Sequence, residues 1–173
     1  LLLKLINDIL ELSRIESGRM SFTFDDCSLN ELLEEIYQTH HLLMPSNIRF
    51  LKEFQKSELV IHVDRFRFTQ VITNFINNAV KFTTKGHILL GYVYKKEEKE
   101  VHIFVEDTGK GMSEEAQKKV FERFFKADEF AQGTGLGLSI CQTIAERLNG
   151  RITLSSQEGK GSRFTLIIPC RPK

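Results

Sequence analysis

Asn74, Asn78 and Lys81 stand at positions i, i+4 and i+7, a spacing that places all three on one face of a helix. Two carboxamides and an ammonium on one stripe suit a metal-bound polyphosphate. An amide oxygen can fill one coordination site on Mg²⁺, whose remaining sites go to phosphate oxygens and water, and Lys81 supplies a point charge. A solvated polar face is the ordinary reading of such a stripe. Against it stands the amide repeat, because Asn is a poor helix former and two at this spacing need a reason.

Two further stretches point to the same chemistry. Gly133-Thr134-Gly135-Leu136-Gly137-Leu138 places three glycines within five positions and runs directly into a helical pattern. A glycine loop opening a helix lets backbone approach an anion and offers it unpaired N–H groups at the positive end of the dipole. Asp107 follows a strand pattern and precedes Gly109 and Gly111. It is either a turn aspartate or a buried carboxylate that accepts from a purine amino group. Adenine offers a donor there and guanine an acceptor, and a site that requires a hydrogen bond can reject the mismatched analogue by as much as ~10⁴. Two other phosphate motifs fail: there is no GxxxxGK[S/T], and the glycines follow a polar loop rather than a strand, so the dinucleotide fingerprint lacks its context. His40, His41, His62, His87 and His102 show no metal-ligand or triad spacing and read as surface or core residues.

The elements that must position these residues are legible from periodicity. Leu2, Leu5, Ile9 and Leu12, flanked by Leu3, Ile6 and Leu10, form a broad apolar stripe on a helix ending near Ser17-Gly18. Such a stripe belongs in a bundle between subunits or folded back on its own domain. Residues 19–26 alternate through Met20, Phe22 and Phe24 and read as a strand. Ser28 with Glu31 forms a capping box for a helix carrying Leu29, Leu32, Leu33 and Ile36, and Pro45 ends that region. Strands at 48–54 and 59–63 precede Asp64, which caps the helix bearing Asn74; Phe68, Val71, Ile72, Phe75, Ile76 and Ala79 lie on its buried side. Hairpins are expected at 87–105 and 151–168, with a short helix after Ser113 and a longer one stopped by Asn149-Gly150. Helices set among antiparallel hairpins predict an α+β, two-layer sandwich rather than a doubly wound parallel sheet.

Bulk properties narrow the class. The 173 residues are 41% hydrophobic and 27% charged, as in an ordinary soluble domain, and a formal net charge of +1 gives no electrostatic reason to expect nucleic acid. Cys27, Cys141 and Cys170 are odd in number and far apart, which fits a reducing, cytoplasmic setting better than a disulfide framework. No apolar run approaches the ~18–20 residues that span a bilayer. The chain begins at Leu1 in mid-pattern and reads as a piece of something longer, whose parent could be membrane-anchored.

Together these residues resemble the ATP-binding catalytic domain of sensor histidine kinases, within the wider ATPase group that includes gyrase, Hsp90 and MutL. Asn74 to Phe82 is similar to the asparagine box, and Asp107-Thr108-Gly109-Lys110-Gly111-Met112 to the first glycine box. Phe121-Glu122-Arg123-Phe124-Phe125 matches the phenylalanine box, Gly133 to Leu138 the second glycine box, and Ile6 to Gly18 the end of the second dimerisation helix. The resemblance implies a Bergerat-type fold, a mixed sheet packed on helices and preceded by one bundle helix. It divides the chain into residues 1–18 and a catalytic domain at 19–173. It implies Mg²⁺ and ATP as cofactors, with Asn78 ligating the metal and Asn74 and Lys81 at the phosphates. Asp107 would read adenine, and Gly109, Gly111, Met112, Phe125, Gly133, Thr134, Gly135, Leu136, Gly137 and Leu138 would shape the pocket and its hinged lid.

Its implied partners are a dimerisation domain bearing a phosphoacceptor histidine, a second copy of the parent chain, and a downstream response regulator. That histidine should lie upstream of Leu1, since neither His40 nor His41 is followed by the family's acidic residue and proline. The segment from Lys126 to Gln132 is short for the family's lid, and Lys126 and Arg123 are its available cations. Members that hydrolyse ATP need a carboxylate to activate water; a neutral amide at Asn74 cannot serve as that base, which suits a kinase. A nucleotide-gated interaction module and a chaperone-like ATPase are the alternatives.

Overall fold

The computed structural model describes residues 1–127 and 133–173. Helix α1 (Leu2–Glu16) leads into β1 (Asp25–Ser28), α2 (Leu29–His41), β2 (Ile48–Glu53), β3 (Leu59–Val63) and α3 (Arg65–Phe82). The chain continues through β4 (Gly86–Lys95), β5 (Glu100–Asp107), α4 (Glu114–Lys119), α5 (Gly137–Arg147), β6 (Arg151–Gln157), β7 (Gly161–Pro169) and β8 (Arg171–Pro172). A five-stranded sheet runs β2-β4-β5-β7-β6, with β2 parallel to β4 and the other pairs antiparallel. A three-stranded sheet, β1-β3-β8, lies beside it. Helices α3 and α5 pack on each other, α3 against β4 and β5 and α5 against β6 and β7. This is the mixed sheet on helices that the sequence predicts.

The caps act where their side chains predict. Ser28 accepts from the Glu31 N–H and Asp64 from that of Arg67 at 2.9 Å, satisfying amides that the first turn leaves unpaired. Phe68, Val71, Ile72, Phe75, Ile76 and Ala79 are all buried, so α3 is fixed by a continuous apolar face. Phe75 sits 5.5 Å from Phe164 of β7, ring centre to ring centre, which locks the helix to the sheet.

One expectation changes. Residues 19–24 make no strand, and β1 begins only at Asp25. Their alternation reflects one-sided burial without a ladder. Met20 enters the core, and Phe22 meets the guanidiniums of Arg67 and Arg147, at 5.6 and 4.7 Å from its ring centre. Thr23 donates its N–H to the Asp64 carboxylate at 2.7 Å instead of to a neighbouring strand. The runs at 48–53 and 59–63 belong to different sheets, β2 beside β4 and β3 between β1 and β8.

Helix α1 is two-faced. Leu12 and Ile15 are half-buried against the domain core and Leu5 is half-buried on the same face, while Leu2, Leu3, Ile6, Ile9 and Leu10 are exposed on the other side. Among the described residues no helix is long and apolar enough to cross a membrane. Because Phe75 is fully buried on both its helix and sheet sides, Phe75→Ala is expected to cost about 3–5 kcal/mol. Denaturant unfolding of the variant against the natural chain measures that loss.

Candidate functional site

Strand register builds one wall of the site. Asp107 ends β5 opposite Ser162 of β7. Its Oδ1 accepts from the Gly109 N–H at 2.8 Å and the Ser162 N–H at 3.3 Å, and the residue is 6% exposed. Burial pushes this carboxyl above its ordinary value, opposed by the two backbone hydrogen bonds. The first glycine stretch is tied down around it. Lys110 donates its N–H to the Phe82 carbonyl at the end of α3, and Met112 donates its own to the Ser156 hydroxyl at 2.8 Å. Gly111 has φ +66 and lies so close to the Gln157 backbone that a Cβ would collide there. Glycine is required by both conformation and space.

The opposite wall is α3 and the second glycine stretch. Asn74, Asn78 and Lys81 line a single cavity of about 360 Å³ together with Asp107. A Cβ on Gly137 would lie 2.5 Å from the Asn74 amide, and one on Gly133 would lie 2.5 Å from Lys81 Nζ. The glycines therefore let this loop lie directly on the α3 polar stripe. Gly135, at φ +73, has its α-carbon under the Phe124 backbone, and Phe124 donates its N–H to the Gly135 carbonyl at 2.8 Å. Helix α5 starts at Gly137 with no side-chain cap, and Gly137 and Leu138 line the cavity, so its first turn faces the space a ligand would take. Met112, Val120, Phe125, Leu138 and Phe164 supply apolar lining, and the volume falls in the range of small-molecule sites.

Known proteins resemble this chain in sequence and fold. Residues 63–172 match the model of the histidine kinase-, DNA gyrase B- and HSP90-like ATPases. The chain belongs to that family. It is 30% identical to the sensor histidine kinase WalK of Bacillus subtilis, over 97% of this chain and 28% of WalK. ShkA, solved at full length in complex with AMPPNP, superposes with a TM-score of 0.86 at 28% identity, over 99% of this chain and 36% of ShkA. The histidine kinase ThkA, solved in complex with the response regulator protein TrrA, gives 0.75 at 28% identity over 95% of this chain and 48% of ThkA. The chain thus spans only part of these relatives, and what it shares with them is the sensor histidine kinase ATP-binding catalytic domain.

Within this ATPase domain most expected site residues converge on the cavity. Asn74, Asn78, Lys81, Asp107, Gly111, Met112, Phe125, Gly133, Thr134, Gly135, Gly137 and Leu138 all line it. Gly109 acts from behind by donating to Asp107, and Leu136 is fully buried in the core beneath the loop. Of the two expected cations, Lys126 lines the cavity, whereas Arg123 is paired with Glu16 at 2.5 Å. Residues 128–132 of the expected lid lie outside the described residues. The rings of the phenylalanine box have different surroundings. Phe121 meets Phe164 edge-on at 6.3 Å and Phe125 lines the cavity, but Phe124 is 60% exposed with φ 63.

Sequence reasoning missed Asn77, Phe82, Lys110 and Ser162 among the lining residues. Lys81 Nζ and Lys110 Nζ each lie over the Phe82 ring, 5.1 Å from its centre. Asn77 and Phe82 adjoin the stripe and were within reach of the helical pattern, but Ser162 reaches Asp107 only through strand register.

A carboxyl whose folded pKa exceeds its ordinary 3.8 favours folding when protonated and loses that contribution as pH rises through its folded value. Asp107→Asn keeps an acceptor for both amides and never ionises. The melting temperature of the natural chain should therefore fall relative to Asp107→Asn as pH rises above the ordinary 3.8. A pH-independent difference in thermal unfolding would remove the buried-carboxylate description.

Proposed function

We propose that this chain binds Mg-ATP in the cavity and donates its γ-phosphate to a histidine on a dimerisation domain, as one step of two-component signalling. The observation that carries the reading is the convergence of a buried carboxylate with an Asn-Asn-Lys stripe and two glycine loops in one cavity. Asp107 accepts from the adenine amino group, its Oδ1 held by the Gly109 and Ser162 amides. Lys81 supplies positive charge to the phosphates beside the Gly133 backbone, and the first turn of α5 supplies N–H groups. Asn78 offers a hard amide oxygen among cavity-lining residues, which fits a Mg²⁺ that keeps phosphate oxygens and water as its other ligands. Bound there, the ion would neutralise charge on the transferring phosphoryl group.

Asn74 is neutral and half-buried, with its amide against Gly137. It can orient but cannot deprotonate water, so the proton acceptor arrives with the phosphate acceptor. Catalysis then consists mainly of positioning and charge stabilisation. The partners are the dimerisation domain, a second parent chain and a response regulator. Residues 1–18 are the end of the dimerisation helix and 19–173 the catalytic domain. The setting is cytoplasmic.

Labelled ATP supplied to the chain with a separate dimerisation domain carrying the phosphoacceptor histidine distinguishes the outcomes. Acid-labile label on that domain, and none on this chain incubated alone, is expected. Free phosphate without phosphoprotein would instead indicate a hydrolytic ATPase, and nucleotide binding with neither product an ATP-gated interaction module.

A further inference from the structure

Helix α1 lies outside the matched ATPase region, yet it touches the nucleotide cavity. Three of its carboxylates reach the domain. Asp8 Oδ2 accepts from the Thr134 hydroxyl at 2.6 Å, Glu11 Oε1 pairs with Arg67 at 2.7 Å, and Glu16 pairs with Arg123 at 2.5 Å. Thr134 is the residue between Gly133 and Gly135, is 9% exposed, and accepts from the Leu136 N–H with the same hydroxyl. Lys4, one turn before Asp8 and 3.5 Å from it, lines the cavity itself.

We infer that Asp8 is a positioning residue of the nucleotide site, holding the Thr134 hydroxyl and, through it, the glycine loop against the Asn74–Lys81 stripe. The inference rests on the reading of the cavity as an ATP site. The short O–H to carboxylate bond is of the charge-assisted kind, stronger and more directional than a neutral contact. It adds a side-chain anchor to a loop that the Phe124–Gly135 backbone hydrogen bond and the buried Leu136 also hold, and it acts between two positive-φ glycines.

The docking that brings Asp8 into place is firm in register and modest in energy. Arg67 is buried and would lose its charge partner if α1 moved away. Against that, α1 buries no residue fully, and Glu11 Oε2 is buried without a hydrogen-bond partner among the described residues. A helix held this way can be biased by a ligand. Coupling is reciprocal: if docked α1 raises ATP affinity by some factor, ATP raises α1 docking by the same factor.

The test is calorimetric ATP affinity of the whole chain, the variants Asp8→Ala, Asp8→Asn and Thr134→Val, and the Asp8→Ala/Thr134→Val pair. Asp8→Ala should weaken ATP binding about fivefold or more. Asp8→Asn retains an acceptor and should recover most of that loss. The double variant should bind no more weakly than Thr134→Val alone, because both remove one interaction. ATP should also slow amide exchange along α1 in the natural chain and not in Asp8→Ala. Affinity unchanged in Asp8→Ala, additive losses in the double variant, or tighter binding in both Asp8 variants would each overturn the inference. A natural chain that binds no ATP would overturn the nucleotide reading as well.

Discussion

The site depends on α3 being unable to rotate. Its apolar face is buried along its length, from Phe68 to Ala79, and the Phe75–Phe164 contact ties it to β7. Rotation about its axis would expose that face at roughly 1.5–3 kcal/mol for each large side chain. Asn74, Asn78 and Lys81 therefore point where the core dictates. The helix propensity of the two asparagines is poor, and tertiary packing overrides it.

Against a fixed α3, the second glycine stretch comes close because it is glycine. Gly133 and Gly135 hold φ +138 and +73, and a Cβ on Gly135 would meet the Phe124 backbone at 2.7 Å. The same segment ends in an uncapped helix start, so close approach and exposed amides come from one piece of sequence. On the other wall, Asp107 is held by strand pairing between β5 and β7. One wall is thus set by helix packing and the other by sheet register, and the cavity is the gap between them. A gap built this way is largely preformed, which keeps down the ordering cost of binding.

The helices, their caps and the buried face of α3 were legible because periodicity and capping are local. So were the stripe residues and the glycines, whose types are restrictive at their spacing. The strand expected at 19–26 failed because alternation reports a buried face and not a ladder; Phe22 found its partners in two arginines. Strand β8 went unseen because a two-residue Arg-Pro pairing has no pattern of its own. Ser162 and the Asp8–Thr134 bond were out of reach for a different reason: each joins residues far apart in sequence that only the folded topology brings together.

Nucleotide discrimination tests the use of this cavity most directly, because it reads Asp107 through hydrogen-bond direction alone. Calorimetric titration of the chain with ATP and with GTP, in the presence of Mg²⁺, should show ATP binding and GTP binding weaker by orders of magnitude, toward the ~10⁴ limit of such sites. Equal affinity for the two nucleotides, or preference for GTP, would contradict a buried carboxylate that accepts from the adenine amino group.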